Sequence, residues 1–572
     1  MKSILFSVSF ILMWLSAFSV FGQKLDNQIQ DDSVQVDSIY QRALNNLNTG
    51  EFYTAQNQLE QALALDSTHQ DANLNLMRIY YAQRKFEEAR NIALRLTALN
   101  PQREDHWIAL ADTYKALEDY TGLIRVYNKL IRLNPEESSY YYDKAFTLSL
   151  NGQEEGALQL YQSIEDKFGL TDRLFLARNE LYRQQKDRKK ALSVAKNFVQ
   201  HKPHTSHSHL MLANTYLDFD KPKDALKTLE GLESEFPNDP YIPLTKADAY
   251  QALKDYSKLS DELQKAFVMD SLSMNNKVRT VYNVLQGSNE GKSLKIAADI
   301  SNVLVDKYPN EALAQAVFGD IALQQGKEDL AYEAFSKAID LNKKLYIVWE
   351  QLLQLEVANN KLLEAQEHGL EAINQFPDNS IILLFTGYAY LLDKKYQEAR
   401  AFLEESLNKA DPKNEALMVQ IYSALGDNYH ALDMGPASNI AYSEALKIDS
   451  NNTYVLNNFA YYLALRKEEL TKAASMSKKS NELEPDNASY QDTYAWVLFQ
   501  QGDYDAALMW IDKAVKSSVD PSATLIEHKG DILFKLGKKQ EAVKLWERAL
   551  KLSETGDNEK LSQKVDTKEY VD

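Results

Sequence analysis

The stretch "FEEARNIALRLTALNP" (residues 86–101) sets Ala89, Ala93 and Leu96 four and then three positions apart and closes on Pro101. Apolar residues at that spacing share one face of a helix. The same pattern returns in "KKALSVAKNFVQHKP" (189–203), "EDLAYEAFSKAIDLN" (328–342) and "YDAALMWIDKAV" (504–515). Fifteen anchor positions carry it: Ala55, Ala89, Leu123, Ala157, Ala191, Ala225, Leu259, Ala297, Ala331, Ala365, Ala399, Ser438, Ala473, Ala507 and Ala542. Successive anchors are 34 residues apart six times, then 38, 34, 34, 34, 39, 35, 34 and 35 apart.

Each period holds more than one helix. Twelve residues before most anchors stands a second small residue, among them Ala43, Ala111, Ala145, Ala213, Gly319, Gly387, Gly426, Ala495 and Gly530. Between the two patterns glycine recurs at one equivalent place, as Gly50, Gly152, Gly326, Gly502 and Gly537. Glycine suits a helix end that needs a left-handed residue. Twelve residues after the anchor proline recurs, as Pro101, Pro135, Pro203, Pro237, Pro309, Pro377 and Pro485, and stops the second helix. The unit is helix–turn–helix, with small residues where two helices approach closely.

The period, the small-residue pattern, the flanking aromatics and the proline resemble the tetratricopeptide repeat (TPR) family over about residues 36–555. The resemblance implies an all-α chain: an α-solenoid, a right-handed superhelix of about fifteen helix-turn-helix repeats whose groove is lined by first helices. For function it implies binding of a protein or peptide partner. The two irregular intervals divide the array into 36–271 (repeats 1–7), 272–411 (repeats 8–11) and 412–555 (repeats 12–15), unless they are only longer loops on one solenoid. Residues 556–572, with Leu561, Val565 and Tyr570, read as a polar cap or tail.

Residues 1–22 form a Lys-led apolar stretch before an abrupt polar switch, the pattern of a secretory signal peptide cut after Gly22. An uncleaved signal anchor is the alternative. Residues 23–35 read as a polar linker, and no later stretch is apolar enough to span a membrane. The expected location is therefore the periplasm or outside the cell.

The totals exclude several chemistries. A net charge of −18 repels phosphate backbones and disfavours nucleic acid. The absence of cysteine removes disulfides, thiolate nucleophiles and Cys-type zinc sites. Neither G-x-S-x-G nor H-E-x-x-H occurs, and the array leaves no room for a catalytic domain. No catalytic residue and no cofactor is expected. "GSNEGKS" (287–293) falls one residue short of a phosphate-binding loop and follows a helix where that loop needs a strand.

"HKPHTSHSH" (201–209) gathers four of the nine histidines. Pro203 separates His201 from the rest, and His207 and His209 are i and i+2 on the following helix. Helical metal pairs need i, i+3 or i+4, so no metal site is expected.

The first-helix positions that face the groove in TPR relatives hold thirteen acids once irregular repeat 8 is set aside: Asp37, Asp71, Asp105, Asp112, Asp143, Glu180, Asp248, Asp320, Glu350, Asp427, Asp492, Glu527 and Asp531. They hold four bases, Arg78, Lys115, Arg173 and Arg183. Relatives that clamp the C-terminal carboxylate of cytosolic chaperones need Lys, Arg and Asn there, and that pattern is absent. Solubility and ligand binding both account for such an excess. The candidate peptide-binding residues are Asn457, Asn458, Tyr461, Asp492, Trp496 and Phe499 in repeats 13 and 14, where aromatics stand beside amides. The expected role is a non-catalytic scaffold that organises envelope complexes or clients, or alternatively serves outer-membrane assembly or polysaccharide export.

Overall fold

The small residues at fixed intervals fix how the helices meet. In the computed structural model of the chain, residues 34–287, 290–553 and 559–571 are described, and among them there are helices and turns but no strand. The expected signal peptide, 1–22, and nearly all of the linker lie outside these residues. The twelve anchor alanines are fully buried, as is Ser438, whose hydroxyl donates to the Gly426 carbonyl at 2.8 Å. The earlier small residue meets a large one on the second helix. A Cβ built on Gly319, Gly426 or Gly530 would stand 2.5 Å from the Phe335 ring, 2.6 Å from Tyr442 and 2.6 Å from Trp546 respectively.

A typical pair is Glu104–Ala116 followed by Tyr120–Leu133. The turn between them closes with a left-handed residue. Gly50, Gly152, Gly326, Gly502 and Gly537 take φ of 69° to 84°. Eight other repeats use a larger residue at the same place, Arg84, Glu118, Lys186, Asp220, Lys254, Asn360, Lys394 and Asp433, at φ of 55° to 60°. The next N–H reaches back five residues, Lys395 to the Tyr390 carbonyl at 2.9 Å for example, so the end of the first helix is satisfied. At the other turn, the proline carbonyl accepts from a side chain six residues on: Trp107 on Pro101 (3.0 Å), Tyr141 on Pro135 (3.0 Å), Gln491 on Pro485 (2.7 Å).

The chain divides between Glu262 and Leu263 into two compact units. Within each, most helices pack on the next in sequence, and several first helices also meet the first helix of a neighbouring repeat, as Thr453–Arg466 meets Ala488–Gln501. This is an α-solenoid arrangement of tandem helix pairs. In the first unit, repeat 6 departs from the pattern. Its second helix is split into Pro222–Thr228 and Leu232–Glu235 by Gly231 at φ 80°. In the second unit both irregular intervals lengthen a helix by about one turn. Repeat 8 has an 18-residue second helix, Glu290–Lys307, and repeat 12 a 17-residue first helix, Glu415–Ala431. Residues 559–567 form the helix Glu559–Thr567, with Leu561 buried against repeat 15.

Candidate functional site

The acids on the first helices are the natural starting point, because they outnumber the bases there. Most of them are engaged with the chain itself, one repeat onward. Glu350 accepts from Asn379 (2.7 Å), and Asp492 pairs with His528 (2.8 Å). Asp143 pairs with Arg173 (3.4 Å), and Asp37 faces His69 (3.5 Å). Asp320 accepts from Tyr282 of the repeat before it. Asp427 has the fullest set: Tyr442 (2.5 Å), Tyr454 (2.7 Å), Asn458 (3.3 Å) and Tyr462 (3.3 Å) all donate to it. Burial pushes the Asp427 carboxyl up, and those four donors pull against it. Beyond the last repeat, Lys564 donates to Asp531 (2.7 Å) and Glu527 (2.7 Å), and the Trp546 ring N–H reaches Asp531 at 2.9 Å. A buried carboxylate without such donors is costly. The acid excess is therefore largely a set of ties between neighbouring repeats, a role that composition alone does not reveal.

The six residues expected to bind a peptide divide into two groups. Asn457 is buried and donates to Asn458 (3.2 Å), which donates in turn to Asp427. Tyr461, Asp492, Trp496 and Phe499 gather near His528. Trp496 stacks on His528 (4.1 Å between centroids) and on Phe499 (4.8 Å), and Tyr461 lies 6.5 Å from the same imidazole. Trp496 is 8% exposed and Phe499 4%. Phe499 also meets Tyr570, beyond the final helix, at 5.9 Å. Asn458, Tyr461 and Asp492 are half-buried and reach the surface. Burial opposes a charge on His528, but Asp492, with Asp531 and Glu527 beyond it, outweighs burial and raises its pKa. Burial pushes the Tyr461 hydroxyl up to about 12. His528 and Lys564 were not singled out from sequence, and Tyr570 was named only as part of the tail. The spacing of 36 residues from Asp492 to His528, close to one repeat, is the signal that pairs them.

The histidine run behaves as separate side chains. Helix Arg188–His201 ends before Pro203, and helix Ser206–Asp218 begins after Thr205. His204 faces Glu235 (3.4 Å), His209 faces the Thr205 carbonyl (3.1 Å), and His207 sits edge-on to Phe198 (6.0 Å).

Openings occur on the first helices of the N-terminal unit. A cavity of about 540 Å³ lies between helices Gln70–Ala82 and Glu104–Ala116, lined by Met77, Arg78, Tyr81, Ile108 and Asp112 among others. One of about 220 Å³ lies between Ser138–Leu150 and Asp172–Gln184, with Asp143, Phe146, Arg173 and Glu180. A third, of about 380 Å³, runs from Leu176 and Arg183 past His207 and Met211 to Asp239 and Tyr241.

Profiles described as tetratricopeptide repeat match residues 48–113, 182–249, 351–415, 126–159, 106–137 and 313–345, and one described as a tetratricopeptide repeat-like domain matches 463–568. Among curated proteins the chain is similar to Tetratricopeptide repeat protein 21B of Xenopus laevis, 20% identical over 562 residues, covering 89% of this chain and 42% of that protein. The chain thus spans less than half the length of that relative. Among solved structures it is similar to the APC/C hetero-tetramer Cut9–Hcn1, at 13% identity and a TM-score of 0.39 over 87% of this chain and 96% of that one. It is also similar to a tetratricopeptide repeat protein from Parabacteroides merdae, at 16% identity and a TM-score of 0.36 over 47% of this chain and 98% of that one. With fifteen helix–turn–helix anchors in tandem and profiles of one kind matching more than half of its length, the chain belongs to the tetratricopeptide repeat proteins.

Proposed function

We propose that this chain is a non-catalytic scaffold that holds protein segments against its first helices. A tetratricopeptide repeat array is a protein-interaction scaffold, and among the described residues no helix is long and apolar enough to cross a membrane. The observation that carries the reading is the apolar surface left open beside the cavities, with Ile108 41% and Phe146 56% exposed on first helices. A second contact area is proposed at repeats 13 and 14. There Asn458, Tyr461 and Asp492 reach the surface over buried Asn457, Trp496 and Phe499. The apolar leader favours an exported protein, released by cleavage after Gly22 to the periplasm or beyond. In that compartment it organises envelope complexes or clients, with outer-membrane assembly or polysaccharide export as the alternative service.

Photo-crosslinking in cells tests the scaffold. A photoreactive residue placed at Phe146 or at Tyr461 is expected to capture one recurrent protein, identified by mass spectrometry. The same residue at Glu155, exposed on the second helix Glu154–Phe168, is expected to capture little. Equal labelling from both faces overturns the reading. Intact mass of the exported protein, beginning at Gln23, tests the location.

A further inference from the structure

Five large apolar side chains on the first helices of repeats 2 to 7, Tyr81, Ile108, Phe146, Leu176 and Tyr241, are 38% to 56% exposed. Apolar residues scattered singly over a surface need no explanation, whereas a set aligned along one face does. All five stand at positions that the family assigns to the groove, and all five line the three cavities.

The charges around these cavities are unevenly spoken for. Arg173 is held by Asp143 (3.4 Å) and lies over the Tyr142 ring (4.1 Å). Arg183 is held by Asp218 and by Glu180 (3.1 Å). Arg78 is the one arginine of the lining with no carboxylate at ion-pair distance among the described residues. On the acid side, Asp112 lines the first cavity and makes no ion pair or hydrogen bond among the described residues. Asp239 lines the third and only caps the Tyr241 N–H (3.0 Å). Asp248 shares a helix face with Tyr241 and Thr245 and likewise has no ion pair or hydrogen bond among the described residues. Crowding shows in their acidity. Asp112 and Asp248 stand exposed on that face, and partial desolvation by the surrounding repeats raises both carboxyls, Asp112 against the pull of Lys115 and Asp248 to about 6. A cation brought to these open carboxylates would favour their charged form, and no arginine of the chain is placed to do so at ion-pair distance among the described residues.

We propose that the first-helix face of repeats 2 to 7 binds a basic amphipathic segment of a partner protein, with apolar side chains seated in the three cavities and Lys or Arg side chains against Asp112, Asp239 and Asp248. The proposal rests on the scaffold reading and names the chemistry of the partner. Six first helices spaced about 9 Å apart span about 45 Å, the length of about 14 extended residues. Charge of this kind selects the partner and speeds the encounter, while the cavities supply the grip.

Fluorescence anisotropy with the full chain decides it. Three labelled synthetic peptides of about 14 residues share one pattern of leucines and carry Lys, Gln or Glu at every other site. The Lys peptide is expected to bind at least about tenfold more tightly than the other two, a margin that added salt erodes. Asp112→Asn with Asp248→Asn removes the margin. Phe146→Ala, at an exposed site, weakens all binding without lowering the melting temperature. Equal affinity for the three peptides, preference for Glu, no binding, or Lys-peptide binding untouched by these variants each overturns the proposal. The scaffold reading fails separately: a recurrent partner captured at Phe146 through an acidic or neutral segment keeps the scaffold and sinks the basic segment.

Discussion

Lys394 and Gly326 do the same backbone job in different repeats, and only one of them does it without strain. A left-handed L-residue costs about 1–2 kcal/mol, part of which glycine returns as chain entropy. Lys394→Gly is therefore expected to stabilise its repeat by up to about 1 kcal/mol, and Gly326→Ala to destabilise its own by about 1 kcal/mol, both read from denaturant melts. The left-handed site was legible where glycine fills it. It was hidden at Arg84 or Lys186, because the helix ends impose the conformation whatever side chain is present. The histidines give a second single-residue expectation. The raised pKa of His528 makes its charged form a native-state contribution, fully present below about pH 6.5 and lost as pH rises through the folded value. His430, stacked on Tyr462 at 3.6 Å, is lowered by burial and then by Arg466. Its contribution runs the other way, present above about pH 6.5 and lost as pH falls. Between about pH 5 and about pH 8, His528→Gln is expected to cost more melting temperature at the acid end, and His430→Gln more at the alkaline end. A pH-independent loss for both would remove the electrostatic account. Of the six candidate binding residues, sequence placed all six on first helices. It did not separate the three at the surface from the three beneath, because one helical position can face a groove or a neighbouring repeat depending on what the next repeat offers.

Helices meet through matched pairs of small and large side chains, and the match is testable. Gly426→Ala pushes a methyl group into the Tyr442 ring, which also donates to Asp427. Overpacking of this kind costs about 1–3 kcal/mol. Tyr442→Phe in the same background is expected not to restore stability, since it keeps the ring and removes the donor. At the far end, Lys564 is buried between Glu527 and Asp531, and Asp531 is itself almost fully covered. Lys564→Ala leaves a buried carboxylate short of its cation, a loss of about 3 kcal/mol or more. Hydrogen exchange is expected to rise over Ala523–Lys535 and Glu559–Thr567 together; a rise in the final helix alone would mean the pair does not tie it to repeat 15. Helix pairs, and the turns that glycine or proline marks, were readable from periodicity, glycine and proline. The fate of the two irregular intervals was not. Extra residues can extend a loop or add a helical turn, and "NKADPKNEA" carries turn formers that the longer helix Glu415–Ala431 simply follows.

For the molecule as a whole, stability belongs to neighbours. Each repeat buries its face only against adjacent ones, so perturbation should stay local. Ala331→Leu, at a fully buried anchor, is expected to cost about 1–3 kcal/mol and to raise hydrogen exchange in repeats 8 to 10, leaving residues 34–262 unchanged. A uniform rise along the chain would contradict a one-dimensional array. The carboxylate ties add something that the uniform repeat outline conceals. Asp427 meets three tyrosines and an asparagine, Asp492 a histidine, Asp531 a lysine and a tryptophan, and no two of these sets are alike. Each joint is keyed. A chimera with repeat 14 placed directly after repeat 12 would seat Asp427 against a helix that natively packs on Thr453–Arg466, which carries no acid. The helices would still stack, and the lock would not turn. The order of the modules is thus written into the chemistry of their junctions, so shuffling or duplicating repeats in this chain carries a penalty that arrays of identical repeats escape.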